Sequence, residues 1–156
     1  MATIEVKTTE PVKVAYLDVR GSFDQIPEAL GRLYGWIGQH EIRAEGMPSI
    51  VYFTLPAQSE GSSAFWEARA EVDPATPTVE PDASGVGVQA VEPHTVVSAM
   101  HRGPYDTVAE TYHELEAWIP EHGYHVVGPP EEVYFSDPSI TLPQDYLTEV
   151  RMPVGQ

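Results

Sequence analysis

Carboxylates are the main reactive groups this sequence offers, and Glu132 is the one in an unexpected place. It follows a Gly-x-Pro and precedes Val133-Tyr134-Phe135. The same context occurs in the first half of the chain, at Gly46-x-Pro48 and Val51-Tyr52-Phe53, where the corresponding residue is Ile50. Strand alternation puts Glu132 and Tyr134 on one face, with Val133 and Phe135 opposite. A carboxylate replacing an isoleucine is costly to bury without a partner. Buried in a pocket, it would pair a cation or move a proton with a raised pKa. At a strand edge or rim it would be an ordinary solvated acid, and the local sequence serves both readings. Glu149 differs, because its counterpart Glu67 is also an acid. Arg151 and Arg69 stand two residues on, so each Glu-x-Arg forms a same-face ion pair on a strand. A second pocket carboxylate is the alternative for Glu149.

Around these acids lies an aromatic set containing 3 Trp, 8 Tyr and 4 Phe. Most of such a set belongs to a core. A carboxylate within an aromatic lining also suits flat or cationic organic molecules. Tyr105 follows Gly103-Pro104 at a helix entrance and is placed to project its hydroxyl. Trp66 lies where the second half has Thr148, a further difference between the halves. Trp36, Trp118, Tyr16 and Phe53 complete the candidate lining. The chain has no Gly-x-Ser-x-Gly, Walker loop, His-Glu-x-x-His or dinucleotide fingerprint. With no cysteine and scattered histidines, we expect no metal and no cofactor. His101 and His113 read as surface or satisfied core residues.

The elements that must position these groups come in two sets. At an offset of 82, 17 of the 56 positions from Val14 to Arg69 are identical. Chance would give roughly 3 or 4, so the chain reads as a duplication. Repeat 1 covers about 1–73, a proline-rich linker 73–84, and repeat 2 85–156. In each half a β-branched strand (Val12–Val19, Thr95–His101) meets Gly21 or Gly103. Asp24 and Asp106 are then placed as helix N-caps. Ile26, Leu30, Leu33 and Ile37 recur at helical spacing, as do Val108, Tyr112, Leu115 and Ile119. Glycine and proline end each helix. Two strands follow, near Ser49–Leu55 and Ala64–Val72, then Glu131–Ser136 and Tyr146–Met152. Ile4–Lys7 and Val86–Val91 are placed to extend the edges. The expected fold is α+β: two β-α-β-β modules about a pseudo-two-fold, one antiparallel sheet, two helices, and a ligand groove between them.

Composition bounds the partners. The formal charge is −16, from 24 acids against 8 Lys and Arg. Phosphate backbones need clustered cations, so nucleic acid is not an expected partner. No apolar run approaches the roughly 20 residues of a membrane helix, and the N-terminus lacks a signal pattern. The chain reads as cytoplasmic, with no protein partner specified.

One resemblance joins these features. His101-Arg102-Gly103-Pro104-Tyr105-Asp106, Trp118-Ile119, Gly123, Glu132-Val133-Tyr134, Asp137-Pro138, Leu147-Thr148-Glu149-Val150 and Pro153-Val154 occur in the order and spacing of the GyrI-like effector-binding family. The chain resembles a stand-alone member of that family, which also forms the ligand-binding part of AraC-type and multidrug-responsive activators. The resemblance implies a groove for hydrophobic, often cationic, small organic molecules, with Glu132 matching the glutamate that pairs the ligand. It also implies an alternative: a hydrolase that opens cyclopropane-bearing genotoxic compounds by adding water. In that case Glu132, Tyr134 and Tyr105 would be catalytic, with Trp66 and Trp118 stacking on the substrate. The differences between the halves predict a single polar site on the second half, with aromatic surface including Trp66 from the first.

Overall fold

The computed structural model describes residues 3–54, 64–137 and 139–156. Leu55, Pro56 and Pro138, which entered the strand and repeat readings, lie outside them. The chain forms two units, Glu10–Glu92 and Met1–Thr9 with Pro93–Gln156. Each is α+β, with antiparallel strands and one long helix.

In the Glu10–Glu92 unit, β2 (Val12–Arg20) leads to α1 (Ile26–Gln39), then β3 (Ala44–Tyr52), β4 (Phe65–Val72) and β5 (Val86–Val91). β2 pairs with both β4 and β5, and β3 pairs with β4. Alternation along β4 buries Trp66, Ala68, Ala70 and Val72 completely. Leu33, Trp36 and Ile37 of α1 are buried too, and α1 packs on β4 and β2. Full burial of a side chain such as Leu33 contributes about 1.5–3 kcal/mol. The proline-rich segment expected as a linker is tied into this unit. Its Val79 bridges to Val88, and Asp82 accepts a hydrogen bond from Trp36 Nε1 at 2.7 Å.

The second unit repeats this order. β6 (Thr95–Arg102) leads to α2 (Val108–Glu121), then a two-residue β7 (His125–Val126), β8 (Glu131–Tyr134) and β9 (Leu147–Gly155). Its strands run β1-β6-β9-β8, where β1 is Ile4–Thr8, and β7 pairs with the end of β9. Val97, Ala99, Leu115, Ile119, Val150, Met152 and Val154 form the core, with Trp118, Tyr112 and Tyr124 packed against it. The two edge strands are exchanged along the chain. β1 precedes β2 but pairs with β6, and β5 precedes β6 but pairs with β2. Each crossing carries a Glu-Pro, Glu10-Pro11 and Glu92-Pro93, 82 residues apart. Proline donates no hydrogen bond and keeps the residue before it extended, which suits the passage between pairings.

Three local expectations are corrected. Asp24 and Asp106 are not helix N-caps. They lie inside short 3-10 turns, Phe23–Gln25 and Tyr105–Thr107, and the residues before α1 and α2 are Gln25 and Thr107. A 3-10 turn closes on i→i+3 bonds, so it supplies the entry that a capping carboxylate would otherwise make. Second, α1 is not ended by a glycine or a proline: it closes at Gln39, with His40 and Glu41 following. Glu41 (φ 55) takes the left-handed conformation there, as Gly123 (φ 82), the glycine that ends α2 as expected, does 82 residues on. Third, Pro120 stays inside the last turn of α2. Among the described residues no helix is long and apolar enough to cross a membrane.

Candidate functional site

β6 ends in His101-Arg102, and the chain then turns at Gly103, whose φ of +134 disfavours a side chain. The Gly103 N–H donates to Tyr146 O at 2.8 Å, joining this turn to the start of β9. His101 is buried. Its Nδ1 is bonded to Thr111 Oγ1 at 2.9 Å, and its Nε2 to Thr107 Oγ1 at 2.9 Å and Pro104 O at 3.2 Å. Thr107 Oγ1 donates to Pro104 O at 2.8 Å, so the imidazole Nε2–H is the donor to Thr107. In the neutral ring, Nδ1 then accepts from Thr111. The histidine thus staples the end of β6 to the first turn of α2 and holds the loop that carries Tyr105. The Tyr105 ring stacks on Tyr146 at 4.8 Å and meets Tyr134 edge-on at 5.7 Å. Burial pushes its phenol pKa up, and the charges of Tyr146 and Glu132 add to this, so Tyr105 stays a hydroxyl donor near neutral pH.

Glu132 sits on β8, opposite Val150 of β9, the strand that lies between β8 and β6. It is only 5% exposed. Tyr112 of α2 donates to Oε2 at 2.7 Å, and Tyr134 donates to Oε1 at 3.1 Å. Both oxygens therefore carry a phenol hydrogen bond. Burial pushes the carboxyl pKa upward, while the two phenols and the nearby His101 oppose the rise. Among the described residues no lysine or arginine forms an ion pair with Glu132; the ion pairs present use other acids. The result is a buried carboxyl ringed by aromatic hydroxyls. It can accept an organic cation, or hold and release one proton.

Of the residues singled out in the sequence, Glu132, Tyr134 and Tyr105 come together. Glu149 lies in the same unit but on the other face of β9. It is ion-paired with Lys7 of β1 and, at 2.9 Å, with Arg151. Burial works against its charge, yet these two cations hold its pKa below the usual range. Trp118 is on α2 but stacks on His122 at 3.7 Å, at the helix's far end. Trp66, Trp36, Tyr16 and Phe53 belong to the Glu10–Glu92 unit. Trp66 is fully buried, with Nε1 donating to Gly21 O at 3.2 Å. Trp36 stacks on His40 at 4.0 Å, Phe53 stacks on Phe65 at 4.7 Å, and Tyr16 lies opposite Arg69 on the β2–β4 pair.

Sequence reasoning missed Tyr112, His101, Thr111 and Tyr146 as site residues. The signal was present in the repeat alignment. Against them the first half has Leu30, Val19, Ala29 and Ala64, as it has Ile50 against Glu132 and Phe23 against Tyr105. At these positions the second unit is polar where the first is apolar, whereas Tyr134 has a tyrosine counterpart, Tyr52. A single Glu-for-Ile difference is one member of a concerted set.

The chain superposes on the C-terminal domain of EcmrR with a TM-score of 0.77 at 18% identity, covering 100% of this chain and 99% of that one. A hydrolase from Listeria innocua gives a TM-score of 0.72 at 19% identity, covering 97% and 91%. SAV2435 bound to tetraphenylphosphonium gives 0.56 at 12% identity, covering 98% and 94%. At these identities the likeness establishes a shared fold. No curated protein sequence matches. The sequence model of the GyrI-like small molecule binding domain matches residues 2–155, and the chain therefore belongs to that family.

Proposed function

We propose that the protein binds hydrophobic, cationic organic molecules at Glu132. The observation that supports this reading is the burial of Glu132 among phenols without a lysine or arginine partner among the described residues. A buried carboxylate is costly unless a cation compensates it, and tyrosine faces favour soft, weakly hydrated cations over metal ions. Binding of tetraphenylphosphonium by a protein of the same fold makes that ion a suitable first probe. The experiment is calorimetric titration with tetraphenylphosphonium, then with benzyltrimethylammonium and its neutral carbon isostere. Cations should bind, and Glu132→Gln should weaken them by about 30-fold or more while leaving the neutral compound unchanged. Equal affinity for charged and neutral isosteres would overturn the reading.

A second reading is hydrolysis of a strained ring at the same carboxyl. Burial favours a proton on Glu132, and an acid that keeps its proton can donate it. In a cyclopropane-bearing electrophile, one ring C–C bond would break. Water would supply a hydroxyl to the electrophilic carbon and a proton to the other, with Glu132 as the proton carrier and Tyr134 and Tyr105 as orienting hydroxyls. Mass spectrometry of such a compound after incubation should show the gain of one water. Turnover unaffected by Glu132→Gln would exclude this role.

A further inference from the structure

Across β6, β9 and β8, His101, Thr148 and Tyr134 lie opposite one another in one row. His101 has partners at both ring nitrogens, and Tyr134 donates to Glu132. Thr148 stands between them and is fully buried. Its Oγ1 is the buried side-chain polar atom without a hydrogen-bond partner among the described residues.

The fold does not require that hydroxyl. In the other unit the same row is Val19, Trp66 and Tyr52, in the same register across β2, β4 and β3. There the central position is an indole in a fully buried setting. A buried donor and acceptor left unpaired opposes folding, whereas an apolar side chain of equal shape does not. The row nevertheless carries threonine, opposite Tyr134 and diagonal on the same face to Glu132, whose two oxygens are already bonded to phenols.

We propose that Thr148 is a specificity-determining residue, and that the Glu132 site takes ligands bearing a hydroxyl or amide next to the cationic body, which Thr148 Oγ1 hydrogen-bonds. This rests on the ligand-binding reading above and adds the ligand's second functional group. The histidine staple and the tyrosines place the row, and the bound ligand completes it.

The test compares tetraphenylphosphonium with (4-hydroxyphenyl)triphenylphosphonium, which differ by one hydroxyl, on the full chain. The wild type should bind the hydroxylated ion about tenfold more tightly. Thr148→Val keeps the shape and β-branching and should abolish that preference without weakening tetraphenylphosphonium. Thr148→Ser should retain it. The melting temperature of unliganded Thr148→Val should be equal to or above that of the wild type, since the hydroxyl's partner arrives only with ligand. A fall of about 3 °C or more would show a structural partner, such as a buried water, and overturn the proposal. So would a preference that survives Thr148→Val, or a wild type that does not discriminate while still binding tetraphenylphosphonium through Glu132. If neither ion binds the wild type, the ligand-binding reading falls and this inference falls with it.

Discussion

Replacing Glu132 by isoleucine converts the site to the residue found at Ile50, and the structure sets the expected balance. The change removes a carboxyl that is 5% exposed. It also removes the acceptor for Tyr112 and Tyr134. Hydrogen bonds to a charged group contribute about 1.5–3 kcal/mol each, so the loss is about 3–6 kcal/mol at most. Against this, the effective cost of burying one carboxylate is several kcal/mol, and burying the isoleucine side chain contributes about 1.5–3 kcal/mol. Tyr112 and Tyr134 are only partly buried, so water takes over part of the lost bonding. The two sides nearly cancel, leaving a net change on the order of 1–2 kcal/mol. Urea denaturation should therefore show a small change in midpoint, while calorimetry shows loss of cation binding. Adding Tyr112→Leu, the residue of the other half, should recover whatever stability the single change costs. A loss above about 4 kcal/mol, the range of a broken structural network, with tetraphenylphosphonium affinity intact would refute the reasoning and make Glu132 a structural residue.

Other expectations follow from neighbouring contacts. Tyr112→Phe removes the shorter bond to Glu132 and should raise the carboxyl pKa further. Cation binding should then shift to higher pH, with affinity at pH 7 lowered several-fold. His101→Val, the residue at the equivalent position, should cost about 1–3 kcal/mol, because Thr107 and Thr111 lose a buried partner. Hydrogen exchange should rise in residues 103–107. Glu67 is raised from 4.5 to about 7 by burial first and then by its bond to Asp18, with Arg69 opposing. A raised folded-state pKa stabilises fully below the unfolded value, and that stability is lost as pH rises through the folded one. The contribution of Glu67 to the denaturation midpoint should therefore fall as pH rises from about 4.5 to about 7. Glu67→Gln should flatten the profile over that window. Lys7→Ala should destabilise the second unit, because buried Glu149 keeps only Arg151; a melting temperature unchanged at low salt would contradict this.

Much of this molecule could be read from residue order. Alternation in Val12–Arg20 and Thr95–Arg102 and the apolar spacing in both helices mark local structure, because backbone period decides which side chains share a face. Alignment of the two halves showed that Glu132 differs from its counterpart, and the Glu-x-Arg pairs followed from strand alternation alone. Other features depended on contacts between residues far apart in the chain. Pairing of β1 with β6 is set by where the chain crosses at Glu10-Pro11, and a short strand carries no signal naming its partner. Tyr112 looks like one more member of a helical stripe. Its hydroxyl becomes a donor to Glu132 only when α2 and β8 come together in the folded unit. Thr148 looks like an ordinary strand threonine until the strands on both sides of it are paired. Sequence periodicity tells which way a side chain points, but the partner of a polar atom is decided by which elements meet there.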